Sequence, residues 1–213
     1  MKNIIIVCAG SVACEIFTLL ETINEYEAER GRDKKYNLLG FIDDNPNAEL
    51  PEYIKYPILG TVSDWKPIGD EVYAMGVATP KAKESISKKL KERGCVFETL
   101  ISPYGRVHNY VEVGEGSIIT SYCVNNGAKI GSFVHLMGSM IGGHAEIGDY
   151  STVLGFANVP NAKIGKRVLI GSHAVVLGPS VGDDAEICVG SIVVSKVEEG
   201  TKVFGNPAKR IDI

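Results

Sequence analysis

His144 lies in the stretch IGGHAEIGD (141–149), between two Ile-Gly pairs, and is the first candidate for chemistry. A neutral imidazole, with an ordinary pKa of about 6.5, accepts a proton from an attacking amine or hydroxyl near pH 7. Glu146 follows two residues later. Along a strand these two residues share a face, so the Glu146 carboxylate could orient the ring. The structural alternatives are a corner histidine that makes one hydrogen bond and a solvated surface carboxylate.

A second group of polar residues lies near the amino terminus. Gly10 and Ser11 follow the apolar run NIIIV, and Asp43 and Asp44 follow the run NLLGFI. In α/β sheets, the loop after the first strand binds phosphates at a helix amino terminus, and an acid after the second strand binds a ribose. Thr79, after a third run, could line the same pocket. The alternatives are an Asp-rich turn for the acids and a helix cap for Thr79.

Three further histidines are weaker candidates for a base. His173 lies in IGSHAVV, and His135 precedes the aliphatic Leu136, so its side chain is expected to point outward. His108 comes early in the second half of the chain, and we expect little from it.

Composition excludes several classes of function. The 213 residues are 45% hydrophobic and 23% charged, with a net charge of −4, so no basic field exists for nucleic acid or anionic lipid. Five scattered cysteines without a CxxC pair favour reduced thiols in a cytoplasmic protein over a disulfide scaffold or a metal site. No apolar run approaches the roughly 18 residues of a membrane span. The start resembles a lipoprotein signal ending at Cys14 only faintly, and an opening strand explains it better.

Residues 1–104 alternate strand-like and helix-like segments. The runs NIIIV, NLLGFI, EVYAMGV and CVFETL predict strands, because they are short, apolar and β-branched. Two segments with apolar residues at helical spacing predict helices. Their apolar positions are Val12, Ile16, Leu19, Leu20 and Ile23 in the first, and Ala82, Ile86 and Leu90 in the second. This alternation predicts an α/β domain with a small parallel sheet.

Residues 105–213 follow a different pattern, a seventeen-residue repeat. Three columns of the repeat are Val113, Ile130, Ile147, Ile164 and Val181, each followed by glycine; Ile119, Leu136, Val153, Ile170 and Ile187; and the smaller Ser117, Val134, Ser151, Val168 and Ala185. Short steps that place one aliphatic side chain inward per face, with small residues near the corners, predict a β-helix with three faces. Such a solenoid is stable only when several turns stack.

A turn of this length contains two six-residue steps and one five-residue step. If the short step runs from Gly142 to Ile147, His144 lies two residues past a corner. If Ile141 starts the face, His144 is one place later. Val159, Val176 and Val193, which recur at the same spacing, favour the first register.

The repeat and the tail GNPAK (205–209) resemble the hexapeptide acyltransferases, whose β-helix is left-handed. Over nearly the whole chain the sequence is similar to the PglD/NeuD type, which acetylates sugar nucleotides or sialic acids. The motifs that carry this resemblance are IIIVCAG, LLGFIDDNP, YPILG, VATPKAKESI, VEVGEGSII, the His144 region and GNPAKRI.

The resemblance implies a homotrimer that binds acetyl-CoA in a groove between adjacent β-helices, with a histidine base near the thioester. It also implies a Rossmann-like first domain that binds the sugar nucleotide. By position in the repeat, we expect Gly155, Gly171 and Gly190 along the coenzyme groove. Lys209 and Arg210 in the tail would meet the coenzyme phosphates.

Two departures from the family pattern matter. The phosphate loop is usually rich in glycine, but here it is CAGSVA and retains only Gly10. The base usually lies in GHD or EHE, whereas Ala145 follows His144 here.

The function expected is transfer of an acetyl group from acetyl-CoA to the amine of an amino sugar, with UDP as the expected carrier. His144 acts as base, and attack on the thioester is direct. One alternative is an O-acetyltransferase for sialic acid or a related sugar. Another is a trimeric β-helix that binds ligands or serves as a scaffold without catalysis.

Overall fold

The computed structural model describes residues 1–212. Its first portion, which we call the α/β part, contains β1 (Lys2–Val7), α1 (Ser11–Ala28), β2 (Tyr36–Ile42), β3 (Ile58–Gly60), β4 (Val72–Met75), α2 (Pro80–Glu92) and β5 (Val96–Phe97). The five strands form one parallel sheet in the order β3-β2-β1-β4-β5. This arrangement agrees with the alternation of strands and helices expected from the sequence.

The two helices bury different kinds of residue. In α1 the buried positions include Ile16, Leu19, Leu20 and Ile23, as predicted, while Val12 is half-buried. The predicted apolar face of α2 was wrong in part. Its buried residues are Pro80, Lys83, Ser87 and Leu90, whereas Ala82 and Ile86 are only half-buried. Positions 83, 87 and 90 also follow helical spacing, but a search for apolar residues passes over a lysine and a serine.

The chain from Leu100 onward forms a parallel β-solenoid with three faces, which confirms the predicted β-helix. Face I contains β6 (Leu100–Ile101), β9 (Ile118–Ile119), β12 (His135–Leu136), β15 (Thr152–Val153), β18 (Leu169–Ile170), β21 (Glu186–Ile187), β23 (Lys202–Gly205) and β24 (Ala208–Arg210). Face II contains β7 (Arg106–Val107), β10 (Cys123–Val124), β13 (Met140–Ile141), β16 (Asn158–Val159), β19 (Val175–Val176) and β22 (Ile192–Val193). Face III contains β8 (Glu112–Val113), β11 (Lys129–Ile130), β14 (Glu146–Ile147), β17 (Lys163–Ile164) and β20 (Ser180–Val181).

The predicted seventeen-residue period is confirmed by the strand pairing. Ile130, Ile147 and Ile164 are successive partners on face III, and all three predicted columns line the core. Ser151 occupies the small-residue column without an unmet hydrogen bond, because its hydroxyl donates to Gly165 O at 2.8 Å and accepts from Val168 N at 3.0 Å. The aliphatic ladders and this satisfied polar column explain why the repeat stacks in register.

The favoured register around His144 was wrong. On face II, Met140 pairs with Asn158 rather than with Ala157, so the spacing between these two strands is one residue longer than the seventeen found on faces I and III. The step from Ile141 to Ile147 therefore has six residues. The five-residue steps run from Leu136 to Ile141 and, one turn later, from Val159 to Ile164. Extrapolating back from Val159 by one regular repeat missed the extra residue, which falls between Val153 and Val159.

Six-residue steps have a characteristic corner. The third residue after the inward aliphatic adopts a left-handed conformation, as at His144 after Ile141 (φ 62°) and Tyr150 after Ile147 (φ 63°). The five-residue step that begins at Val159 has no such residue at that place. Step length therefore determines which residues of the repeat sit at a left-handed corner.

The α/β part packs on face I. Leu100 and Ile118 of the solenoid share a buried cluster with α1, and Phe133 shares another with Tyr73 and Leu90. The ring of Phe133 lies 5.0 Å from that of Phe97, measured between centroids. No helix among residues 1–212 is long and apolar enough to cross a membrane.

Candidate functional site

His144 lies at the edge where face II meets face III, and its side chain is exposed in the single chain. Its backbone N–H donates to Asn126 O of the preceding turn at 3.3 Å. The imidazole lies against Gly127, the equivalent residue of that preceding turn. The left-handed corner thus presents an accessible imidazole on a backbone that stacked turns hold in place.

Glu146 projects from face III beside Lys163, with an Oε1 to Nζ distance of 3.3 Å. No hydrogen bond joins Glu146 to His144 among residues 1–212. In the single chain, then, the carboxylate pairs with the neighbouring turn rather than with the imidazole it was expected to orient. An exposed pair of this kind contributes about 0 to 1 kcal/mol to stability.

The three glycines expected along the coenzyme groove lie at another edge, where face I meets face II. Gly155, Gly171 and Gly190 follow β15, β18 and β21, respectively. Face II separates this edge from the edge of His144. The glycines are therefore close to one another in the repeat, but the structure does not bring them together with His144.

The other histidines occupy contrasting places. His173 is exposed at the glycine edge, where its ring stacks on Phe156 with centroids 5.0 Å apart. His135 points outward from face I, as predicted, but the α/β part buries it completely. His108 is half-buried.

Sequence reasoning missed the buried polar cluster around His135. Lys83 of α2 reaches across to face I, where its Nζ donates to Ser151 O at 2.9 Å and to Thr152 Oγ1 at 2.8 Å. Neither ring nitrogen of His135 has a hydrogen-bond partner within the described part of the chain. Burial holds the pKa of Lys83 well below its ordinary value, and burial followed by the Lys83 charge does the same to the pKa of His135. The only signal in the sequence was a lysine at helical spacing with Ser87 and Leu90.

The loop between β1 and α1 is tied to the acids after β2. Asp43 accepts from Ala9 N at 2.7 Å and from Asn45 N at 2.7 Å, and Asp44 accepts from the backbone N–H and hydroxyl of Ser63. Burial, then the charges of Asp43 and Asp44, raise the pKa of the Cys8 thiol to about 12. Both carboxylates are thus engaged in holding loops, and Cys8 is not a thiolate near neutral pH.

Three other predicted residues of the α/β part are exposed. Gly10 is the N-cap residue of α1, and Ser11 begins that helix. Thr79 is the N-cap residue of α2, but its side chain makes no capping hydrogen bond. Gly10, Ser11 and Thr79 all lie at the carboxyl ends of β1 and β4, which are neighbours in the sheet, so the structure places them at one end of the α/β part.

The tail closes the solenoid as an antiparallel pair, β23 with β24. Lys209 is exposed, and Arg210 pairs with Asp212 at 3.1 Å. Both cations lie at the carboxy-terminal end of the solenoid, several turns from His144. Among residues 1–212, no group of three or more His, Cys, Asp or Glu side chains is arranged to hold a metal ion.

Face II differs from the other two faces in chemistry. Its outward positions are largely apolar, namely Cys123, Met140, Val175 and Ile192, and exposed Leu177 and Val194 border it on the side of His144. Face III carries charged residues outward, and the α/β part covers face I around His135 and Thr152. Face II therefore presents an apolar strip beside the candidate base.

The fold is shared with acetyltransferases. WeeI from Acinetobacter baumannii AYE is 26% identical, covers 99% of this chain and all of its own, and has a TM-score of 0.83. A variant of perosamine N-acetyltransferase from Caulobacter crescentus, solved with CoA and GDP-perosamine, is 16% identical, with a TM-score of 0.80 over 100% of this chain and 98% of its own. Both likenesses extend over the α/β part as well as the solenoid.

The sequence comparison points the same way for the second half. Serine acetyltransferase from Helicobacter pylori strain 26695 is 39% identical over 106 residues, which are 44% of this chain and 62% of that protein. The chain spans about half the length of the curated relatives it matches. No protein-family model matches the chain. The resemblance to hexapeptide-repeat acyltransferases is confirmed, and in its overall fold the chain is similar to sugar N-acetyltransferases of the PglD/NeuD type.

Proposed function

We propose that this chain is a cytoplasmic, acetyl-CoA-dependent acetyltransferase acting on the amine of an amino sugar carried by a nucleotide. His144 is the general base. The observation that carries this proposal is the place of His144, an accessible imidazole at an edge of the left-handed β-helix, in a chain whose whole fold matches that of a sugar N-acetyltransferase. UDP is the carrier we expect, and GDP-perosamine in the solved neighbour supports a nucleotide-linked sugar as the class.

The reaction needs one proton to be relayed in two transfers, and it needs no covalent acyl-enzyme. The amine nitrogen bonds to the thioester carbonyl carbon while His144 takes the amine proton, the carbon–sulfur bond breaks, and the proton passes to the departing thiolate. Direct attack fits the site, because neither Ala145 nor Glu146 is a nucleophile of the serine or cysteine type.

The coenzyme groove belongs on the edge of His144. The thioester must lie within hydrogen-bonding range of the reacting amine and its base, which the glycine edge of the same chain does not allow. Along the His144 edge, successive turns present Pro160, Leu177 and Val194, and the last two are exposed. This apolar row suits the pantetheine arm. We accordingly place the wall of the groove that belongs to the chain of His144 along this edge, and keep Gly155, Gly171 and Gly190 as candidates only for a wall contributed by a neighbouring copy. Lys209 and Arg210 stay candidates for the phosphates at the far end.

The assembly we propose is a homotrimer in which face II is covered by neighbouring copies. An uncovered apolar strip is unfavourable in water, and closed symmetric assembly removes it. Covering face II would also place the His144 edge at a boundary between copies, which gives the exposed imidazole the enclosed surroundings that acyl transfer requires.

Residues 1–104 form the acceptor domain in this proposal, and residues 105–213 carry out the transfer. Gly10, Ser11, Asp43, Asp44 and Thr79 lie around the carboxyl ends of β1, β2 and β4, where α/β sheets bind nucleotides. Asp43 must release the Ala9 amide before that amide can meet a phosphate, so the sugar or base edge is the more suitable partner for the acids.

The test is turnover of acetyl-CoA with a panel of UDP-, GDP- and dTDP-linked amino sugars, measured by release of free thiol. We expect His144→Ala to lose at least about 100-fold in kcat. His173→Ala is the matched control, since it removes another exposed corner histidine with φ near 60° and should retain activity. If the parent consumes no thioester with any acceptor, or if both variants behave alike, the proposal is wrong. Transfer only to a sugar hydroxyl would favour the O-acetyltransferase, and coenzyme binding without turnover would favour the non-catalytic scaffold.

A further inference from the structure

The imidazole of His144 rests on a residue that has no side chain. Tyr110, Gly127 and His144 occupy the same corner position in three successive turns, and all three are left-handed, with φ of 62°, 74° and 62°. Gly127 is the middle member, directly before the turn of His144.

Space for the ring accounts for the glycine. A β-carbon added to Gly127 would lie 2.7 Å from Nδ1 and 2.8 Å from Cε1 of His144. These distances are shorter than the contact distance of carbon atoms, so any larger residue would force the imidazole to move.

Backbone conformation does not account for it. Within the described solenoid, eight non-glycine residues adopt positive φ, including Tyr110 and His144 in the same column. A residue with a side chain is therefore tolerated at this corner, and the left-handed conformation alone does not demand glycine.

The contact also distinguishes the two ring nitrogens. The three ring atoms nearest to the added β-carbon are Nδ1, Cε1 and then Cγ at 3.6 Å, so Nε2 is farther from the preceding turn than Nδ1 is. Nδ1 is the ring nitrogen nearest to Gly127, and Nε2 lies farther from it.

We propose that Gly127 is a positioning residue for His144, and that it directs Nε2 toward the acceptor amine. This inference rests on the proposed function, since it assigns the reacting nitrogen of the proposed base. The physical reason is that proton transfer depends steeply on geometry, so a ring displaced by a β-carbon loses its alignment with the acceptor amine.

The experiment compares Gly127→Ala with Gly200→Ala. Gly200 is a solenoid corner with φ of 64°, but no atom lies within 4 Å of an added β-carbon, so this control imposes the same backbone strain without touching an imidazole. We expect similar lowering of the melting temperature in both. Only Gly127→Ala should lose on the order of 10- to 100-fold in kcat, with KM for acetyl-CoA unchanged.

A second measurement does not depend on activity. The ring carbon and proton NMR signals of His144, assigned by their loss in His144→Asn, should shift in Gly127→Ala and remain in place in Gly200→Ala. Equal signals in the two variants, or equal kcat where the parent is active, overturn the inference. If the parent has no activity, the proposed function fails, and the NMR signals still decide whether Gly127 positions the ring.

Discussion

Face I and the edge of His144 are built from the same repeat, yet their histidines differ in burial and in what packs against them. On face I, His135 is buried under α1 and α2, and Lys83 is drawn into the same layer. At the edge between faces II and III, His144 is exposed and its backbone is held by the preceding turn. Where the α/β part packs on the solenoid, an outward repeat position becomes buried, whereas an uncovered corner leaves its side chain exposed.

The comparison also shows that a perturbed pKa does not by itself mark a functional site. His135 has the most strongly altered surroundings of the four histidines, because it is desolvated and lies near the Lys83 ammonium. It nevertheless has no access to a substrate in this fold. Perturbed groups cluster at active sites, but structural interfaces perturb them too.

The largest effect on stability is expected from Lys83, whose stem and amine fill the layer between α2 and face I. Lys83→Ala should lower the free energy of unfolding by roughly 2–5 kcal/mol, because it leaves a cavity. Lys83→Met keeps the volume and should cost less than about 1.5 kcal/mol. Thr152 Oγ1 still donates to Ala78 O, and Ser151 O still accepts from His135 N. Chemical denaturation of both variants measures the difference, and equal losses would show that the hydrogen bonds, not the packing, stabilise this layer.

A smaller effect is expected from acid, acting through His135. Its pKa is lowered in the folded state, so between about pH 6.5 and the folded pKa the unfolded chain binds a proton that the folded chain does not. The free energy of unfolding should therefore fall by about 1.4 kcal/mol per pH unit as the pH drops through this range. The charged groups that face the ring are Lys83 from α2 and Glu15 from α1.

His135→Phe should remove this part of the slope, as followed by urea denaturation between pH 7 and pH 5. Burial raises the pKa of Glu15, so Glu15→Gln in the same background tests whether that carboxyl contributes to the remaining slope. A variant slope equal to that of the parent would mean that His135 does not carry the pH dependence.

The smallest effect is expected at the exposed edge, from Glu146. Because its carboxylate pairs with Lys163 on the solvated face III, Glu146→Gln should change the free energy of unfolding by less than about 1 kcal/mol. Its kcat should stay close to that of the parent, assayed with the same acceptor as His144→Ala. A large loss of kcat would restore Glu146 as the group that orients His144.

Much of this architecture could be predicted from the sequence, because aliphatic residues recur at fixed spacing through Ile130, Ile147 and Ile164. Periodicity reveals which side chains point into the solenoid, and the inward columns were predicted correctly. Periodicity does not reveal which segment packs on an outward position, so the burial of His135 and Lys83 could not be predicted from the sequence. It also fails where a single residue is inserted, since only strand pairing reveals that Met140 aligns with Asn158.

The candidate site was predicted less completely than the fold. The choice of His144 came from the residues around it and from family resemblance, whereas the glycines were chosen by their position in the repeat and lie on another edge. Gly127 lies one repeat of seventeen residues before His144, so the sequence offered it as a neighbour. The contact between the imidazole and Gly127 is visible only in the structure.

The extra residue between Val153 and Val159 has a consequence for what can approach the imidazole. After it, the short step moves to the edge of His144, and neither Asn161 nor Ala162 is left-handed. The column of left-handed corners formed by Tyr110, Gly127 and His144 therefore ends at His144. From the next turn onward the same edge presents Pro160, Leu177 and Val194, so a molecule that extends from the imidazole toward the carboxy terminus follows a row of apolar side chains.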